Sequence, residues 1–118
     1  MEAGRELDAL VAAKVMGLIV RIDPMSKDLM TGKEPGIPPR WGNMTLVRPY
    51  STSIEHAWQV LETLQGLGAY WTLGGPDCRG KTWVAQYGKG SREVFCGEAD
   101  TAPLAICLAA LKAVGGEA

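Results

Sequence analysis

The sequence predicts an α+β fold, an α-β-α sandwich of three helices and a three-stranded antiparallel sheet. Three observations carry that prediction. Three segments repeat apolar residues at three- and four-residue steps. Three strand-like runs lie between the second and third of those segments. The connections between the runs are glycine-rich and too short to cross over a sheet, which makes neighbouring strands antiparallel. Helices covering both faces of the sheet are the natural way to bury it.

The first helix is expected over residues 5–16. Leu7, Leu10, Val11 and Val15 fall on one face, Glu6 and Asp8 suit the positive end of the helix dipole, and Gly17 stops it. Residues 18–22 form a short β-favouring run, either a strand or an extended lead-out. Residues 24–44 hold Pro24, Pro35, Pro38 and Pro39 with Gly32, Gly36 and Gly42 between them. This composition predicts a long irregular loop with no inner strand, of the kind that carries function or moves.

The second helix is expected over residues 53–64. Thr52 and Glu55 have capping-box spacing, and Ile54, Ala57, Trp58, Leu61 and Leu64 line its apolar face. The strands are expected at 69–73, 81–87 and 92–96. Apolar residues on both faces of the middle run imply cover on both sides. The last helix, over residues 102–114, has Asp100 or Thr101 as its cap and Pro103 in its first turn. It is apolar around most of its circumference and so is expected to be buried on more than one side.

At 118 residues, the chain (1–118) is expected to form one domain, long enough to bury a core without disulfide staples. A formal net charge of −1 argues against a general nucleic-acid coat, which needs a basic field. Cys78, Cys96 and Cys107 lack the short spacing of a zinc or redox site and read as free thiols of a reducing compartment. With no signal-peptide pattern and no run long enough to span a bilayer, the expected location is the cytoplasm, without membrane attachment.

Three segments resemble a known family: RELDALVAAKVMG at 5–17, RPYSTSIEHAWQVL at 48–61 and ADTAPLAICLAALKA at 99–113. They are similar to the phage ABA-sandwich domain family, small proteins of phage and prophage genomes. The resemblance implies an α-β-α sandwich and an accessory role inside a bacterial host cell. It brings no catalytic residues with it.

Gly75-Pro76-Asp77-Cys78-Arg79-Gly80-Lys81-Thr82 matches the phosphate-binding loop string. That loop must open a helix, whereas Trp83 and the residues after it read as a strand, so the match is better taken as a hairpin turn with Arg79 and Lys81 free to meet an anion. His56, the only histidine, reads as a helix-surface residue, and Cys107 as inert core. The acids form no ligand-spaced cluster, and no metal or cofactor is called for.

The residue types most apt for binding are Arg40 and Trp41 at the end of the long loop, with Arg48 after it and Arg79 and Lys81 second. Arginine pairs with phosphate and tryptophan stacks on flat rings. The expected function is a non-enzymatic binding module of a phage. It sequesters a host protein or a small anionic molecule, such as a nucleotide-derived signal of host defence. The competing readings are a small nucleotide-acting hydrolase using His56 or a nearby acid, and a homo-oligomeric assembly protein.

Overall fold

The computed structural model describes residues 3–65, 70–75, 82–89 and 93–114. It contains three helices, α1 (Arg5–Lys14), α2 (Ile54–Gln65) and α3 (Ala102–Ala113). Two three-stranded antiparallel sheets accompany them. The first joins β1 (Val20–Ile22), β2 (Leu29–Gly32) and β3 (Met44–Leu46) in that order, and the second joins β4 (Tyr70–Gly74), β5 (Trp83–Lys89) and β6 (Glu93–Ala99). The expected meander is therefore present as the second sheet, and the first sheet is an addition to the expected architecture.

That first sheet corrects the reading of 24–44 as wholly irregular. The prolines lie at 24, 35, 38 and 39, and none falls inside β2, the central strand. Asp23 turns the β1–β2 hairpin. Its carboxylate accepts the Met25 amide at 2.8 Å and its carbonyl accepts the Lys27 amide at 2.8 Å, with Lys27 in the left-handed region at φ 63°. Register then follows from Thr31, which pairs with Val20 on one side and Thr45 on the other. Val20 and Val47 pack toward the core, whereas Met30 pairs with Arg21 and Leu46 on the opposite face.

α1 ends two residues before its expected limit, as the amides of Met16 and Leu18 turn back to the carbonyls of Val11 and Ala12. α2 starts one residue later than the capping-box spacing suggests. Ser53, not Thr52, offers the first helical carbonyl, to Ala57 at 2.9 Å, and the partner of its hydroxyl is His56 Nδ1 at 3.1 Å. The buried face of α2 is also rotated from the expected one. Ala57, Val60, Leu61 and Leu64 are buried, while Trp58 is 52% exposed and Ile54 lies at the surface beside it.

α3 sits between the second sheet and the other helices, touching β5, β6, α2 and α1. Its buried residues include Ala102, Ala105, Ala109 and Ala110, and small side chains let it approach the sheet closely. The closest approach is at Gly97 in β6. A Cβ there would run into the Ala105 carbonyl and come within 2.6 Å of the Ala109 amide nitrogen. Thr101 occupies the cap position without a side-chain cap bond, and Lys112 near the other end donates to the Cys96 carbonyl at 2.8 Å.

On the covered face of the second sheet, register aligns Trp71, Tyr87 and Phe95 in one row. The Trp71 and Tyr87 rings lie 4.9 Å apart and the Tyr87 and Phe95 rings 6.3 Å apart. The other face carries Tyr70, Thr72, Gln86, Val94 and Glu98, all exposed. Helices on both faces were expected, but among the described residues none covers this one. Its polar members account for the difference, with Thr72 donating to Gln86 at 3.2 Å.

The Gly97 contact is with backbone, which cannot step aside. Gly97→Val is expected to destabilise the protein by at least about 3 kcal/mol, the upper end for overpacking. The urea midpoint measures it, with Glu62→Gln, on the exposed face of α2, expected to leave the midpoint unchanged.

Candidate functional site

The turn from β3 into α2 is made by Arg48, Pro49, Tyr50 and Ser51. The Tyr50 amide returns to the Arg48 carbonyl at 2.9 Å and the Ser53 amide to the Pro49 carbonyl at 2.9 Å. This turn sends three side chains to different tasks. Ser51 is fully buried and gives both its amide, at 2.8 Å, and its hydroxyl, at 2.6 Å, to one Asp8 carboxylate oxygen. The Gly4 amide closes the set on the Ser51 hydroxyl at 3.0 Å. Together these bonds fasten the start of α1 to the start of α2 and satisfy a carboxylate that water barely reaches.

Tyr50 and Arg48 instead line a pocket of about 110 Å³. Thr31, Gly32 and Thr45 come from the first sheet, Lys33 and Pro35 from the chain after β2, and Met16 and Leu18 from the exit of α1. Among the described residues that line it, the charged ones are Lys33 and Arg48, both cations. Arg48 donates one Nη1–H to Gln59 on α2 at 3.1 Å, which orients the guanidinium and leaves its other donors without a partner among the described residues. Thr31 donates its hydroxyl to the Ile19 carbonyl at 2.9 Å. The Tyr50 hydroxyl is buried and finds no hydrogen-bond partner among the described residues. Burial raises the Tyr50 phenol above its ordinary value. Arg48 opposes that rise and the charge of Asp8 adds to it, so the group remains a protonated donor.

Arg40 and Trp41 lie elsewhere. They belong to a turn in which the Arg40 amide donates to Asn43 Oδ1 at 2.9 Å and the Asn43 amide returns to the Arg40 carbonyl at 2.9 Å. Trp41 is 95% exposed. Neither residue lines the Arg48 pocket. A second, shallower groove of about 250 Å³ lies on the outer face of the first sheet, between Arg21, Met30, Met44, Pro24 and Pro39. Arg79 and Lys81, like Cys78, lie outside the described residues. Of the five residues picked from sequence, the structure thus places Arg48 in a pocket and Arg40 with Trp41 on an exposed turn. Lys33 and Thr45 were not picked from the sequence, whereas Tyr50 stands out beside Arg48 as an aromatic of the kind that anchors interfaces.

His56 is engaged with Ser53, and Cys107 is fully buried. Burial, aided by the charge of Asp8, pushes the Cys107 thiol up to about 12 from 9.0. Among the described residues there is no group of three or more metal-ligating side chains, and no helix is long and apolar enough to cross a membrane.

Three helices packed with two small antiparallel sheets, with a pocket whose charged lining residues among those described are both cations, make this a small α+β protein. The chain belongs to the phage ABA sandwich domain family, whose model matches residues 9–111. Searches of curated proteins and of solved structures returned no match.

Two outcomes follow. Tyr50→Phe removes a buried donor without a partner, so it is expected to leave stability unchanged or raise it by about 1 kcal/mol, read from chemical denaturation. The Cys107 shift makes stability fall as pH rises from 9 towards about 12, because the unfolded chain releases a proton that the folded chain keeps. The slope is at most about 1.4 kcal/mol per pH unit from this group. In Cys107→Ala the urea midpoint is expected to fall less steeply over pH 9–10.5.

Proposed function

We propose that this phage protein is a binding module that retains a small anionic molecule of the host cell in the Lys33–Arg48–Tyr50 pocket. One observation supports the reading above the others. The charged residues that line the pocket, among those described, are both cations. Two cations at one pocket raise the local concentration of anions and pair with whatever enters. Acting in the cytoplasm, such a module would lower the free concentration of its ligand without turning it over.

A protein partner is the second reading, and Trp41 favours it. A tryptophan almost wholly exposed has the character of an interface anchor. Arg40 beside it would pair with an acidic group of the partner. The hydrolase reading draws no support from the geometry around His56, whose ring nitrogen is held by Ser53 at the start of α2. An assembly role would use the same exposed surface as a protein partner.

Thermal unfolding against a panel of small anions tests the leading reading, since a ligand at a hundred times its Kd adds about 2.7 kcal/mol to the folded state. At least one anion is expected to raise the Tm of the wild type, and Arg48→Gln is expected to lose that rise while keeping the unliganded Tm. A rise that survives in Arg48→Gln, or a host protein captured only when Trp41 is intact, would overturn it.

A further inference from the structure

We infer that the Arg48 pocket takes a single compact oxyanion, a phosphate or carboxylate head group, and leaves the remainder of the ligand outside. This rests on the reading that the pocket binds an anion and adds the class of ligand to it.

Size is the first argument. The pocket offers about 110 Å³, whereas clefts that enclose a drug-sized ligand run to roughly 300–1,000 Å³. A tetrahedral phosphate or a planar carboxylate fits that space, and a nucleoside does not. The donors make the second argument. Lys33 brings an ammonium and Arg48 brings the guanidinium N–H groups that Gln59 does not use. Thr31 is not among these donors, because its hydroxyl proton is committed to the Ile19 carbonyl. The third argument is the remaining wall. Met16, Leu18 and Pro35 present carbon and Thr45 adds a single hydroxyl, so a ribose or a base drawn inside would leave most of its own polar groups unpaired. No exposed aromatic face lines the pocket among the described residues, since Tyr50 is fully buried and Trp41 sits on the separate turn. The chemistry on hand matches a small charged group and lacks a platform for a flat ring.

The experiment is isothermal titration of the full-length protein with inorganic phosphate, with acetate and with adenosine monophosphate. Inorganic phosphate or acetate is expected to bind at one site per chain, and whichever binds more tightly names the head group. Adenosine monophosphate is expected to gain no more than a few-fold over phosphate, with no change in Trp41→Ala. Arg48→Gln and Lys33→Gln alter exposed side chains and are each expected to weaken binding roughly ten- to hundredfold, the range for losing a charged hydrogen bond.

Adenosine monophosphate binding more than about tenfold tighter than phosphate, with the gain erased in Trp41→Ala, overturns the compact-oxyanion inference and leaves the anion-binding reading standing. Phosphate affinity unchanged in both Arg48→Gln and Lys33→Gln overturns the inference by moving the anion to another site. No binding of any of the three probes overturns the inference and the reading together.

Discussion

The close seating of α3 on β6 is the contact on which the other arrangements depend. Gly97 leaves room for the helix backbone where any side chain would hold it off, and the alanines of α3 continue the fit along its length. Because α3 then lies near the sheet, its far side is still within reach of α1 and α2, and one helix serves as core for both. Its position also explains why α3 is apolar nearly all round, a composition that would be unstable on a surface helix. The aromatic row of Trp71, Tyr87 and Phe95 fills the rest of the covered face, where β4, β5 and β6 each contribute one ring.

The second organising element is polar. Asp8 and Ser51 are forty-three residues apart and meet in the interior through two short hydrogen bonds to one oxygen. A buried carboxylate is tolerable because its donors are supplied by a tight turn whose shape Pro49 helps to set. The same turn presents Arg48 and Tyr50 to the pocket. One short segment of chain therefore both fastens the fold, through Ser51, and lines the pocket, through Arg48 and Tyr50.

How much of this was legible in the sequence depended on the length and regularity of each element. The helices span ten to twelve residues, and their apolar spacing stands clear of the background. The meander was legible for the same reason, as β5 and β6 run to seven residues each and are separated by glycine-rich turns. The strands of the first sheet are three or four residues long, too short for alternation to be counted, and the flanking prolines drew attention away from Leu29, Met30 and Thr31 between them. The rotated face of α2 had another cause. Ile54 and Trp58 are a helical step apart and apolar, but Val60 completes a stripe with Ala57, Leu61 and Leu64 that meets the core better. The pocket was half legible. Arg48 stood out by residue type, whereas Lys33, Thr31 and Thr45 reach it only through the pairing of β2 with β3, which was not expected. Arg40 and Trp41 looked like part of the same site because they are near in sequence, and the turn closed by Asn43 gives them a place of their own.

Lys112 has a consequence for the life of the protein at high concentration. β6 is the last strand of its sheet, and a terminal strand offers its backbone to any passing extended chain, including another copy of itself. By holding the Cys96 carbonyl with an ammonium group, α3 places a hydrated positive charge where an added strand would have to lie. A newcomer would have to strip water from that charge and give up the bond before gaining its own. The helix that forms the core thus also discourages the sheet from taking on a further strand at β6.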